Sequence, residues 1–135
     1  MTLQDADNIV IKGVQYRLYT DPLDKYWTKR NPKPKMRFPI TSCWRGYIAT
    51  WEITDNCLYL NDIIFRAPGG DVGLDYLFPK STGRIRATWY TGELKIPFGD
   101  RIKLTLWEDP VFESDLFLNI KKGNVIGHRY KANYL

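Results

Sequence analysis

Short runs in which apolar and polar residues alternate recur along the chain, and dipeptides that favour tight turns separate them. Alternation with a period of two is typical of strands that bury one face. In residues 8–19, the Lys12-Gly13 dipeptide lies between two such runs, and a two-residue turn there places Ile9 opposite Tyr16. The apolar residues of both strands then share a face, which predicts a β-hairpin.

A second hairpin is predicted at Asp55-Asn56 by the same pattern. A turn at this dipeptide sets Trp51 against Leu60 and Tyr47 against Ile64. A third is predicted at Thr91-Gly92, where Trp89 would face Leu94.

A fourth turn, Lys122-Gly123, pairs Ile120 with Val125. Four hairpins whose registers keep apolar residues together indicate an all-β protein. We therefore expect one domain over residues 1–135, an antiparallel meander of about eight strands that forms a barrel or a two-sheet sandwich. Residues 21–27 and 72–78 favour one or two short helical turns.

Aromatic residues make up 15% of the 135 residues. Trp44, Trp51, Trp89 and Trp107 fall mostly at strand positions that alternate inward, which favours a role in the core. A small barrel with the same residue types inside could instead bind a small apolar ligand. The side chains that would line such a site are Tyr47, Trp51, Tyr59 and Trp89.

The net charge of +5 comes from one segment. Between residues 25 and 37 there are six basic residues and no acidic one, and three prolines predict a basic, extended loop at about 28–39. Aromatic residues flank the charges, which suits an acidic protein partner or, less well, single-stranded nucleic acid. The predicted partner-binding residues are Tyr26, Trp27, Lys29, Arg30, Lys33, Lys35, Arg37 and Phe38.

The chain has one histidine, His128, and two cysteines, Cys43 and Cys57. Three such ligands are too few for a four-ligand structural zinc site, so we expect no metal and no cofactor. A Cys43–His128 nucleophile pair has no supporting motif, and no other catalytic constellation stands out, which predicts a protein that is not an enzyme. The acidic N-terminal residues do not resemble a secretory signal, and no apolar run is long enough to span a bilayer, so a cytoplasmic location is expected.

Several motifs together resemble those of a group of small uncharacterised bacterial proteins. They read WRGY at 44–47, WEI at 51–53, LYL at 58–60, LFP at 77–79 and GELKIPFG at 92–99. The resemblance covers most of the chain and implies no activity, cofactor or catalytic residue. By analogy with other small cytosolic proteins, it suggests an immunity or accessory protein that binds another protein.

The residues thus leave three functions open. The first is protein binding through the basic loop, the second is binding of a small ligand inside a β-barrel, and the third is binding of single-stranded nucleic acid.

Overall fold

Alternating residues form nine strands in the part of the chain that the computed structural model describes, residues 5–38, 40, 42–103 and 111–133. Pro39, at the end of the predicted loop, and Trp107 lie outside this part. The strands are β1 (Asp7–Ile11), β2 (Val14–Leu18), β3 (Tyr47–Thr54), β4 (Cys57–Ala67), β5 (Gly70–Val72), β6 (Ile85–Arg86), β7 (Gly92–Lys103), β8 (Val111–Lys121) and β9 (Asn124–Ala132). A 3₁₀ helix spans Pro22–Lys25 and a short α-helix, α1, spans Leu74–Leu77.

The strands form one mostly antiparallel sheet in the order β2-β1-β3-β4-β9-β8-β7, so the all-β prediction is confirmed. Only β1 and β3 pair in parallel. One edge of β4 pairs with β3, and its other edge is shared by β5, β6 and β9. The end strands approach each other through the Tyr19 N–H, which donates to the Lys95 carbonyl at 2.8 Å. The sheet is not closed into a barrel, which removes one of the two predicted arrangements.

Three of the four predicted hairpins are confirmed, and each turns through two consecutive residues with positive φ. The φ angles are 51° and 79° at Lys12-Gly13, 51° and 58° at Asp55-Asn56, and 48° and 81° at Lys122-Gly123. Two positive φ angles define a type I′ turn, whose twist matches that of the strands it joins. The registers follow, with Ile9 opposite Tyr16 and Ile120 opposite Val125.

The second hairpin departs from its predicted register beyond a bulge. Trp51 pairs with Leu60 as expected, but Asn61 is an extra residue in β4, so Tyr47 lies opposite Phe65 rather than Ile64. The Asn61 amide donates to Glu52 Oε1 at 2.7 Å, which stabilises the bulge. As a result Phe65 faces the core, and Ile64 is 54% exposed.

The third predicted hairpin, at Thr91-Gly92, is wrong. Gly92 has a φ of 154° and Thr91 has no positive φ, so the dipeptide cannot form a type I′ turn. Leu94 in β7 pairs with Leu118 of β8 instead of Trp89, and the Ala87 N–H donates to the Leu58 carbonyl. Longer-range strand partners therefore replace the local pairing.

One core joins both ends of the sheet. Trp51, Leu60 and Ile9 from the first strands are fully buried, and they belong to the same cluster as Leu94 and Leu118. The predicted helical turns at residues 21–27 and 72–78 correspond to the 3₁₀ helix and α1. Among the described residues, none forms a helix long and apolar enough to cross a membrane.

Candidate functional site

The predicted basic loop follows the 3₁₀ helix, and the two aromatic rings just before the loop, Tyr26 and Trp27, pack inward. Tyr26 lies 5.0 Å from Phe78 and 4.8 Å from Trp89, measured between ring centroids. Trp27 meets Tyr47 edge-on at 5.5 Å. These two predicted partner-binding residues therefore attach the loop to the core.

Two of the predicted basic residues are also anchors. The Lys33 ammonium donates to the Arg45 carbonyl and lies 5.4 Å from the Trp27 ring centroid. Burial lowers the pKa of Lys33 below its usual value. The Arg37 guanidinium forms an ion pair with Asp71, which follows β4 in the chain.

The remaining four predicted residues, Lys29, Arg30, Lys35 and Phe38, are exposed. The described carboxylates form no ion pair with the three cations, whereas Arg37 has one. Phe38 is 92% exposed although its backbone is held, since its carbonyl accepts a 3.2 Å hydrogen bond from Arg66. The structure therefore divides the predicted site into four anchors and four exposed residues.

Two further exposed apolar side chains, Ile40 and Trp44, were not among the predicted partner-binding residues. Ile40 is 43% exposed and Trp44 is 61% exposed. The prediction that Trp44 faces the core is therefore wrong, because it lies in a turn before β3 rather than on a strand. We refer to Phe38, Ile40 and Trp44 as the apolar loop.

Backbone hydrogen bonds shape the apolar loop. The Cys43 N–H donates to the Ile40 carbonyl at 3.1 Å, and the Gly46 N–H donates to the Cys43 carbonyl at 3.2 Å. Gly46 has a φ of 79°, and a Cβ there would collide with the Met36 side chain, so only glycine fits. These contacts fix a turn that no periodic pattern in the sequence reveals.

A buried carboxylate lies beneath this turn. Asp7 has no exposed surface, and its Oδ1 accepts hydrogen bonds of 2.9 Å from both Arg45 Nη1 and the Ala49 N–H. Its Oδ2 accepts a 3.0 Å bond from Trp51 Nε1. Burial raises the pKa of Asp7, and the Arg45 guanidinium opposes that rise.

Arg45 connects this carboxylate to the surface. Its Nη1 also lies 2.9 Å from Asp21 Oδ1, and its Nη2 donates to the Asp5 carbonyl at 2.9 Å. Its guanidinium carbon lies 4.5 Å from the centroid of the Tyr47 ring. The Tyr47 hydroxyl donates to Asp24 Oδ1 at 2.7 Å, and burial is the main reason that its pKa is raised well above the usual range.

We refer to Asp7, Asp21, Asp24, Arg45 and Tyr47 as the polar network. Its ionic hydrogen bonds join β1, the 3₁₀ helix and β3. Asp7 has no exposed surface, so the carboxylate itself has no contact with solvent. Through Arg45, the network links Asp7 in β1 to Asp21 at the start of the 3₁₀ helix, just before the basic loop.

The four residues predicted to line a ligand site do not all lie together. Tyr47 and Trp51 have no exposed surface and fill the core. Trp89 packs against Trp51 at 6.3 Å, and its Nε1 donates to the Pro22 carbonyl. Tyr59 projects from the opposite face of β4, where Arg84 lies 3.9 Å from its ring centroid.

An open depression of about 330 Å³ lies elsewhere, beside α1. Its lining includes Asp62, Asp75 and Ser81, and none of the four predicted ligand-binding residues contributes to it. The described residues contain no group of three or more histidine, cysteine or acidic side chains that could hold a metal ion.

Cys43 and His128 have different surroundings. The Cys43 thiol is buried and lies 3.5 Å from the Tyr47 carbonyl. His128 is exposed on β9 and packs edge-on against Tyr130 at 5.7 Å. The structure thus gives each residue its own neighbours, and neither is the other's hydrogen-bond partner.

Comparisons with protein-family models, with curated proteins and with solved structures yield no match.

Proposed function

We propose that the chain is a non-enzymatic, cytoplasmic protein-binding domain of the immunity or accessory type, which recognises an acidic surface on its partner. The binding surface that we propose consists of the exposed cations Lys29, Arg30 and Lys35 together with the apolar loop. The observation that carries the proposal is the exposure of Phe38. Its side chain is 92% exposed, although its carbonyl is held by a hydrogen bond from Arg66.

Exposed apolar side chains clustered beside charged ones are typical of protein interaction sites. Here Phe38, Ile40 and Trp44 lie within seven consecutive residues, and hydrogen bonds hold the carbonyls of Phe38, Ile40 and Cys43. A shape that is set before binding reduces the entropy lost on association. Lys29, Arg30 and Lys35, which form no ion pair with the described carboxylates, supply attraction to an acidic partner.

The same geometry argues against nucleic acid as the principal partner. Single-stranded nucleic acid binds to basic grooves in which exposed rings stack on successive bases. Of the three rings predicted to flank the cations, Tyr26 and Trp27 pack against Phe78 and Tyr47 instead, and Phe38 alone of the three is exposed. A small apolar ligand is disfavoured because Tyr47 and Trp51 fill the core.

Affinity capture with three forms of the protein tests the proposal. The immobilised forms are the wild type, a Lys29→Glu/Arg30→Glu/Lys35→Glu/Phe38→Ser variant, and a control with Lys12→Glu, Arg17→Glu and Lys80→Glu, which are exposed elsewhere. We expect the wild type and the control to retain one acidic protein from a lysate of the native host, and the first variant to lose it. All three should unfold at similar temperatures, since exposed substitutions change stability by only about 0.5 kcal/mol.

Two results would contradict the proposal. One is retention of the same protein by the Lys29/Arg30/Lys35/Phe38 variant, because the proposed surface would then be irrelevant. The other is captured material that disappears after nuclease treatment and whose binding falls steeply with salt, which would establish nucleic acid as the ligand.

A further inference from the structure

Strand β9 has one edge that the described strands leave unpaired. On one side β9 pairs with β8 from Asn124 opposite Lys121 to Ala132 opposite Ser114, with Ile126 as an extra residue at a bulge. On the other side it pairs with β4 only where Asn124 meets Cys57. From Ile126 to Ala132, that edge has no described strand beside it.

The antiparallel register carries β9 past the first residue of β4. Because Cys57 pairs with Asn124, the residues after Asn124 run toward the turn at Asp55-Asn56, and the Val125 N–H donates to the Asn56 carbonyl at 2.8 Å. The turn before β9 is held against the residues that follow β6, and a Cβ on Gly123 would lie 2.8 Å from the Ala87 carbonyl oxygen. Because β4 begins at Cys57, it offers no residue beside β9 from Ile126 onward.

Two exposed apolar side chains lie along this edge. Ile126 is 64% exposed and Tyr130 is 66% exposed. The Tyr130 ring is flanked edge-on by Phe98 at 5.9 Å and by His128 at 5.7 Å. A strand that adds to a sheet edge gains affinity from main-chain hydrogen bonds and specificity from such alternate side chains.

The charge of β9 indicates the charge of the strand that would pair with its free edge. Its residues include His128, Arg129 and Lys131 and no acidic one, and Arg129 is the one that forms an ion pair, with Glu93. Arg86 lies beside the start of the edge, where its guanidinium donates to Asn124 Oδ1. Two copies of β9 would bring cations together, which is unfavourable, whereas an acidic strand would be attracted.

We propose that the edge of β9 from Ile126 to Ala132 is a strand-addition site for an extended acidic segment of a partner protein. This site is independent of the surface proposed above. The apolar loop contacts β4 through Arg66, near its end, whereas β9 meets β4 at Cys57, its first residue. Loss of function at one site therefore leaves the other testable.

The test uses the full chain and a short capped peptide of alternating glutamate and valine as the probe. Hydrogen exchange of the backbone amides is measured with and without the peptide, and affinity is measured by fluorescence anisotropy. We expect the peptide to slow exchange at residues 126–132. Lys131→Glu should weaken the affinity about fivefold, the size expected for one exposed charge contact. Lys80→Glu, with the same charge change at an exposed residue in the turn after α1, should leave it unchanged.

Each alternative outcome contradicts the proposal in a different way. Equal protection by a peptide of alternating lysine and valine would show that charge does not select the occupant. Concentration-dependent protection without any peptide would identify a second copy of the chain as the occupant. No change at residues 126–132 at millimolar peptide would mean that the edge does not accept a strand.

Discussion

At the scale of single residues, Asp7 illustrates how one buried charge can specify the ends of several elements. A carboxylate with no exposed surface is costly to bury unless its partners satisfy it. Here Arg45 supplies the opposite charge, while Ala49 and Trp51 supply two further donors. Because Arg45 also binds Asp21, the same guanidinium fixes the start of the 3₁₀ helix.

Asp7→Asn should therefore destabilise the protein by about 3 kcal/mol, because it removes the buried one of the two carboxylates that neutralise the largely buried Arg45 guanidinium and leaves only the half-exposed Asp21. The amide NH₂ of the asparagine would also face Arg45 or Trp51, which both donate to the carboxylate of Asp7, so two donors would meet. Urea denaturation measures the change. Asp21→Asn is the matched control, since Asp21 binds the same Arg45 atom but its side chain is 45% exposed, and it should cost less than about 1 kcal/mol. Equal losses in the two variants would contradict a special role for Asp7.

Tyr47 leads to a prediction about pH. Burial keeps its phenol protonated in the folded state, whereas in the unfolded chain it titrates near its usual pKa of 10.0. Above that pH the unfolded state releases a proton that the folded state retains, so stability falls by about 1.4 kcal/mol per pH unit for this residue.

Between pH 10 and 11, the stability of Tyr47→Phe should consequently fall less steeply than that of the wild type, by about that slope. At pH 7 the substitution should cost about 1 kcal/mol, because it removes the hydrogen bond to Asp24. Denaturation across this pH range measures both effects. Tyr76→Phe, at a side chain that is 51% exposed, is the matched control for the loss of a tyrosine hydroxyl. An unaltered slope in Tyr47→Phe would show that the phenol titrates alike in both states.

At the scale of elements, local turn chemistry could be predicted from the sequence and long-range competition could not. Lys12-Gly13 and Lys122-Gly123 have residues that accept positive φ, and the hairpins formed there. Thr91-Gly92 has a similar composition, but Thr91 Oγ1 accepts the Lys122 N–H and β7 pairs with β8. Nothing near the dipeptide in sequence indicates either partner.

The same distinction applies to the candidate site. The clustering of cations at residues 25–37 was visible in the sequence, so the segment itself could be predicted. Which of its members are exposed depends on contacts with distant residues, such as Trp27 on Phe65 and Arg37 with Asp71. Hence the sequence could not separate the anchors from the exposed side chains, and the exposure of Trp44 was missed.

Two glycines in equivalent turns provide a test at this scale. Gly13 and Gly123 have φ angles of 79° and 81°, so alanine at either position suffers the same backbone strain of about 1–2 kcal/mol. A Cβ at Gly13 would meet open space, whereas one at Gly123 would lie 2.8 Å from the Ala87 carbonyl oxygen. Gly123→Ala should therefore lower the free energy of unfolding clearly more than Gly13→Ala in urea denaturation. Equal losses would mean that the backbone at Ala87 moves away from the new Cβ without a measurable loss of stability.

At the scale of the whole molecule, backbone pairing and side-chain packing connect the strands in different ways. Between β4 and β9 the sheet is continuous through a single residue pair, Cys57 with Asn124. The apolar core is not interrupted at this pair, because Trp51 and Leu60 belong to the same cluster as Leu94 and Leu118. The cohesion of the two parts of the sheet that meet at this pair therefore depends mainly on shared apolar burial, with a further backbone hydrogen bond from Tyr19 to Lys95 between the end strands.

A substitution at one end of the sheet should accordingly destabilise the other. Leu118→Ala in β8 removes a buried side chain and should cost about 3 kcal/mol. The experiment uses a Trp107→Phe background, because Trp107 lies between β7 and β8 in the sequence. The four remaining tryptophans, Trp27, Trp44, Trp51 and Trp89, all precede β7, so their fluorescence reports on the part of the sheet away from β8, whereas far-ultraviolet circular dichroism reports on all strands. We expect both signals to shift to the same lower urea midpoint, as in a two-state transition. A fluorescence midpoint that stays in place while the dichroism midpoint falls would show that β7–β9 unfold on their own, and the shared core would then not be what couples the two ends.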